Sequence, residues 1–190
     1  MSAPDAPDIH IDADFDVWLP IPTEWPWQDY PDVHTWADTV ARAFGDAYDW
    51  SEQTRQWCID AVTALSVDAP DDETRLAIID PDANWVFFTA VLWSPTDATA
   101  SVEELAGAGD DSSLRGVELV PFVSPTLGEG IRGTRYVDDE SSSHDVVGMV
   151  QHAFRAKGLD IVVMSSGYDL LLLQELVPAL DDLARSISVG

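Results

Sequence analysis

An α+β fold built on a mainly antiparallel sheet of five to seven strands is what this 190-residue chain predicts, and three observations lead there. Apolar residues recur every three or four positions in two early segments and one late one, the periodicity of helices packed by one face. Between them lie short runs rich in Val, Ile, Phe and Trp, separated by Ser, Gly, Pro and Asp clusters at meander spacing. The hydrophobic fraction is 46% despite a formal net charge of −26, enough for a core that a disordered composition could not build. A sheet needs its apolar face covered. The early helical hairpin and the C-terminal helix are the covers available.

Residues 1–8 read as a disordered lead-in and 9–190 as a single α+β domain. Ile9, Ile11, Ala13, Phe15, Val17 and Leu19 alternate with His10, Asp12, Asp14, Asp16 and Trp18, predicting one half-buried strand over 9–19. Pro20, Pro22, Pro26 and Pro31 then argue against regular structure, while Trp25, Trp27 and Tyr30 among them predict a loop packed on the body. Trp36, Val40, Phe44 and Tyr48 recur every four residues, a helix with Thr35 as its N-cap. Ser51 caps a second helix carrying Thr54, Trp57, Cys58, Ala61, Val62 and Leu65, and the short Asp49-Trp50 link makes a hairpin of the two.

Strand signals follow. Arg75–Asp80 and Trp85–Trp93 flank Pro81-Asp82-Ala83-Asn84, a hairpin loop. Ser101 with Glu104 forms a capping box on a short helix. Gly116–Val123, Ile131–Val137, Val146–Phe154 and Leu159–Met164 complete the meander. Ser165-Ser166-Gly167 reads as the turn and cap before a last helix with Leu171, Leu172, Leu176, Leu180, Leu183 and Ile187 on one face, which Pro178 either kinks or restarts.

The run Ser165-Ser166-Gly167-Tyr168-Asp169 leading into Pro178-Ala179-Leu180-Asp181-Asp182-Leu183-Ala184-Arg185-Ser186-Ile187 resembles the closing helix of Mog1/PsbP-like bacterial proteins. The opening Trp18-Leu19-Pro20-Ile21-Pro22-x-x-Trp25 is similar to the strand-and-Pro start of such chains. The resemblance covers the two ends and the general strand order. It implies an antiparallel sheet between helices and a binding or accessory role, and it transfers no functional residue.

Charge sets the functional bounds. The chain has 35 Asp and Glu against nine Lys and Arg, a balance that repels nucleic-acid phosphates and anionic lipid and attracts cationic partners. Residues 1–34 hold eight acids and no base; 67–130 hold 13 acids with only Arg75 and Arg115. Arg outnumbers Lys eight to one and Asn84 is the single Asn, so a GC-rich coding background or a halophilic origin also accounts for the composition. No apolar run approaches the roughly 20 residues of a membrane span. The start Met1-Ser2-Ala3-Pro4-Asp5 lacks signal-peptide character, and the lone Cys58 excludes an internal disulfide, so a cytoplasmic location is expected.

Candidate chemistry is sparse. Asp12-x-Asp14-x-Asp16 is the sharpest metal candidate, but on a strand the carboxylates stand about 6.6 Å apart, and a calcium loop would need completing ligands that Val17 and Thr23 do not supply. Gly128-x-Gly130-x-x-Gly133 matches the dinucleotide fingerprint by letter but leads into a strand rather than a helix, so a hairpin turn is expected. Ser141-Ser142-Ser143-His144-Asp145 reads as a polar turn, since triads are assembled across a fold. His10, His34, His144 and His152 have no metal-ligand spacing, and Cys58 beside Trp57 is expected in the core. Arg132, Arg135, Arg155 and Lys157 are expected to pair with the chain's own carboxylates rather than to form an anion site.

The expectation is therefore a non-enzymatic protein-binding or accessory domain, with no catalytic, cofactor or metal residue assigned. Its expected partner is another protein, not nucleic acid or membrane. Two alternatives stand beside it: an acidic decoy or immunity-type protein that neutralises a basic partner, and a small-ligand-binding domain or enzyme with an aromatic pocket.

Overall fold

Alternation over residues 9–19 produces two short strands instead of one long one. The computed structural model, which describes residues 8–66, 70, 72–81, 83, 85–139 and 145–190, has β1 at Ile9–Ile11 and β2 at Leu19–Ile21, with a turn over residues 15–17. Asp is poorly suited to strand interiors, and three in alternate positions break the run. Trp18, expected on the polar side, is buried. Pro20 does not end regular structure either. It pairs opposite Leu76 in an edge strand, where a residue without an N–H leaves no interior ladder bond unmade.

Helix α1 spans Val33–Ala47 and α2 spans Glu52–Leu65. Asp32, not Thr35, caps α1: its carboxylate accepts from the Thr35 amide at 2.8 Å, which puts Thr35 inside the first turn. Ser51 caps α2 as expected, accepting from the Thr54 amide at 3.1 Å. The strands that follow are β3 (Glu73–Asp80), β4 (Trp85–Pro95), β5 (Glu118–Ser124), β6 (Gly128–Asp139), β7 (Asp145–Ala156) and β8 (Leu159–Gly167), with α3 (Val102–Leu105) before β5. Helix α4 (Leu170–Ser186) runs through Pro178 as one element, and β9 (Ile187–Val189) ends the chain. Pro178 and Gln174, whose carbonyl loses its partner to the proline, are both exposed. Water can therefore satisfy that carbonyl.

The expected α+β class is what the structure shows: seven strands in the antiparallel order β2-β3-β4-β8-β7-β6-β5, a separate β1-β9 pair, a helical hairpin and a C-terminal helix. The β5-to-β8 meander is present as read. The β1-β9 pair is a correction, since it ties Ile9 to Val189 and Ile11 to Ile187 across a separation no local pattern reveals.

The chain groups into two compact units. The larger contains the residues up to Asp14 together with Thr89–Gly190; the smaller is Phe15–Phe88. In the smaller unit, Trp36, Ala37 and Ala41 of α1 and Cys58 and Val62 of α2 close on Ile21 and Ala77, with Trp25, Trp27 and Tyr30 packed against that core. In the larger unit, α4 and α3 lie on opposite faces of the meander. Gly148, paired with Tyr136, sits beneath Leu170 and Leu173 of α4, while Gly133, on the opposite strand parity, sits beneath the Ala106 carbonyl at the end of α3. Leu173, Leu180, Leu183 and Ala184 form the buried face of α4. Of the residues expected on one apolar face, Leu172 and Leu176 are half-buried and Leu171 is exposed. No helix among the described residues is long and apolar enough to cross a membrane.

Candidate functional site

A helix advances about 100° per residue, so a four-residue repeat drifts by about 40° at each step. The row Trp36, Val40, Phe44, Tyr48 therefore rotates by about 120° over its length. Trp36 is buried, Phe44 half-buried and Tyr48 66% exposed. The sequence pattern that reads as one core stripe leaves the core at its C-terminal end, where its rings meet Trp50. Phe44 and Trp50 lie 5.8 Å apart at 12°, Phe44 and Tyr48 6.2 Å apart at 13°, and Tyr48 and Trp50 6.3 Å apart at 23°. Near-parallel planes at these separations are offset, the arrangement the ring quadrupole favours. The three rings form a stepped platform.

The link between the helices holds this platform in place. Asp49 adopts a positive φ of 56°, a left-handed turn that Asp tolerates better than most residues. Trp50 donates its amide to the Gly45 carbonyl at 2.9 Å. The Arg55 guanidinium crosses Gly45, where an added Cβ would come within 2.6 Å of it. It donates to the Trp50 carbonyl at 3.4 Å and to Asp46 at 2.9 Å. Gly45 is needed for this close approach rather than for any special backbone angle.

The platform forms one wall of a cleft of about 410 Å³, within the smaller unit, completed by Phe15, Val17, Leu19, Ile79 and Trp85. Phe15 is 62% exposed. Asp16 and Asp80 also line the cleft, and no Lys or Arg is among its described lining residues. Asp80 accepts from the Ala83 amide at 3.0 Å, leaving further acceptor capacity on the carboxylate. The volume falls in the range of ligand sites, and an apolar wall with a few polar groups is their usual composition.

The larger unit holds a polar cluster around the buried His152 that sequence spacing did not reveal. Arg132 on β6 and His152 on β7 are direct cross-strand partners. Asp181 of α4 accepts from both Arg132 (2.9 and 3.0 Å) and His152 Nε2 (2.7 Å). Arg185 stacks over Phe122, which meets the His152 ring edge-on at 4.7 Å. His152 is fully buried, and its Nδ1 has no hydrogen-bond partner. Burial, with lesser help from Arg132 and Arg185, holds the imidazole below its ordinary pKa despite the Asp181 contact. Burial also pushes the Asp181 carboxyl up, but the bonds from His152 and Arg132 outweigh it and leave the group below the ordinary carboxylate value. A His–Asp pair resembles part of a catalytic triad, but an imidazole with no exposed surface cannot reach a substrate. Its role here is to fasten α4 to the sheet.

The motifs singled out by sequence are dispersed. Asp12 and Asp14 belong to the larger unit and Asp16 to the smaller. They lie outside any strand, so the expected spacing of about 6.6 Å along one strand face does not apply. Among the described residues no three His, Cys, Asp or Glu side chains gather as metal ligands. Of the Gly128-x-Gly130-x-x-Gly133 motif, Gly128 opens β6 directly after the turn over residues 125–127, at a φ of 85°, and pairs with Ser124. Gly130 and Gly133 lie within β6, where Gly130 packs beneath Phe154. Residues 141–144 of the Ser-His-Asp run lie outside the described residues, and Asp145 starts β7. Ser165-Ser166-Gly167 finishes β8 rather than capping α4. The cap is Asp169, whose carboxylate accepts from the Leu171 and Leu172 amides. Cys58 is fully buried in the smaller unit's core, and burial pushes its thiol up to about 11.

The four late basic residues do not converge. Arg135 pairs with Asp110 at 3.1 Å, on the sheet face opposite Arg132. Arg155 pairs with Asp160 at 2.6 Å, and Lys157 donates to the Val189 carbonyl at 2.5 Å. All nine Lys and Arg are engaged within the chain: Arg42, Arg55, Arg75, Arg132, Arg135, Arg155 and Arg185 with carboxylates, Arg115 over Tyr136 and Lys157 on a carbonyl. No protein-family model matches the chain, and no curated protein matches it.

Proposed function

We propose that the chain is a non-enzymatic binding module that takes part of another protein into the aromatic cleft of its smaller unit. The observation that carries this reading is the Phe44–Tyr48–Trp50 platform. Three large rings line an open cleft, Phe44 and Trp50 half-buried and Tyr48 66% exposed, which leaves apolar surface in water. Exposed aromatic surface of this kind is what supplies most of the energy of protein recognition. The charge favours a cationic partner: the chain's own bases are already engaged, so the long-range field of the remaining carboxylates acts on molecules outside.

Tyr48 is exposed, so Tyr48→Ala should fold normally and still lose the partner. The test compares proteins retained by the wild type and by Tyr48→Ala from a lysate of the source organism, at about 0.05 M and about 0.5 M salt. Retention of the same proteins by both would reject the cleft. The net charge of −26 favours one second reading, an acidic decoy that neutralises a basic partner without using the cleft. That reading expects binding lost in high salt yet indifferent to Tyr48→Ala.

A further inference from the structure

Resting on the cleft being the binding site, we infer that its occupant is the guanidinium of an arginine on the partner protein, lying flat on the Phe44–Tyr48–Trp50 platform. The three rings are stepped and nearly parallel, their planes within 23° of one another. A planar, weakly hydrated guanidinium stacks on such a surface, whereas the ammonium of lysine is a compact, strongly hydrated point charge. Asp16 and Asp80 line the same cleft. An apolar side chain placed there would strip water from the Asp80 carboxylate, which keeps acceptor capacity beyond the Ala83 amide, and return no charge to it. A guanidinium satisfies both demands, stacking through its face and donating through its edge.

The molecule already uses this contact internally. Arg115 lies 4.4 Å from the centroid of Tyr136, Arg185 4.8 Å from that of Phe122 and Arg75 5.9 Å from that of Phe88. The cleft platform is the largest stacked aromatic surface among the described residues, and no guanidinium of the chain is among the cleft's described lining residues. An unpaired base would also stack on it, but its phosphates would meet Asp16, Asp80 and the negative field of the whole chain.

The test uses the full chain, ¹⁵N-labelled at the tryptophan indoles, with Trp50 and Trp85 assigned by single Trp→Phe variants. Three blocked tripeptides, Gly-Arg-Gly, Gly-Lys-Gly and Gly-citrulline-Gly, are titrated in turn, followed by a single-stranded oligothymidine. The expected result is a shift of the Trp50 and Trp85 signals that saturates with the arginine peptide. Its affinity should be about tenfold above that of the citrulline peptide and measurably above that of the lysine peptide. Tyr48→Ala should weaken the arginine response, and Asp80→Asn should narrow the arginine-to-citrulline ratio.

Equal binding of arginine and citrulline, preference for lysine, or saturation by the oligothymidine alone would overturn the inference. So would the absence of any shift with the arginine peptide. None of these outcomes rejects the cleft itself, which falls only if Tyr48→Ala leaves partner retention unchanged.

Discussion

His152 shows how a single buried group makes stability depend on pH. Its Nε2 is engaged by Asp181 and its Nδ1 has no partner, so a second ring proton would have to be accommodated beside Phe122 with Arg132 and Arg185 nearby. The fold thus holds the imidazole neutral, below its ordinary value of 6.5. The unfolded chain binds this proton at higher pH, so below about 6.5 the unfolded state carries more protons and stability falls as pH falls. Asp181, lowered from 3.8, adds a second loss only at still lower pH, when its carboxylate is protonated. Urea unfolding at a series of pH values from about 7.5 to 5 should show the first decline. His152→Gln should flatten it, whatever that variant's baseline stability. A decline of equal slope in His152→Gln would assign the effect to other groups.

At the scale of elements, the meander is held by close approach on one face and by side-chain volume on the other. Gly133 has no room for a Cβ because the Ala106 carbonyl occupies that space. Gly133→Ala should therefore push α3 off β6 and destabilise by about 1–3 kcal/mol, the usual range for overpacking. Leu180 is 1% exposed on α4, and Leu180→Ala should cost about 2–5 kcal/mol through lost burial and the cavity left behind. Differential scanning calorimetry of both variants checks the pair. A loss under about 0.5 kcal/mol in Leu180→Ala, the scale of an ordinary surface change, would mean that α4 is not integral to the larger unit. Helix α1 shows the opposite use of an element. Its N-terminal residues Trp36, Ala37 and Ala41 are buried in the core, and its C-terminal rings are left to build a cleft.

Across the whole molecule, 35 acidic residues stand against nine basic ones, so carboxylates repel one another. The net charge of −26 is left after every base has found a partner inside the chain. Such self-repulsion opposes the compact state and is screened by ions within a Debye length of about 10 Å at 0.1 M salt. The thermal midpoint should accordingly rise as sodium chloride is increased from about 0.02 to 0.5 M. A midpoint that stayed level or fell would show that the internal ion pairs, weakened by the same salt, outweigh the repulsion. The same screening should slow association with a cationic partner, so binding and stability respond to salt in opposite directions.

Local pattern determined much of this protein by itself. Periods of 3.6 and 2, the Ser51 cap and the Ser101–Glu104 box set α1, α2, α3 and six of the strands, β3 to β8, within a few residues of where they stand, because those signals act between residues a few positions apart. The α+β class followed from their order. The break in the 9–19 strand, the β1-β9 pair and the Asp169 cap depended on competition with distant segments. Tertiary structure alone decided the sites. Arg132, His152 and Asp181 are joined by strand register and by the packing of α4, and neither leaves a mark in residue spacing. The Phe44, Tyr48 and Trp50 rings were visible as apolar residues of a helical hairpin. Whether they filled a core or walled a cleft depended on how far α1 extends past the residues it packs against, which only the folded chain specifies.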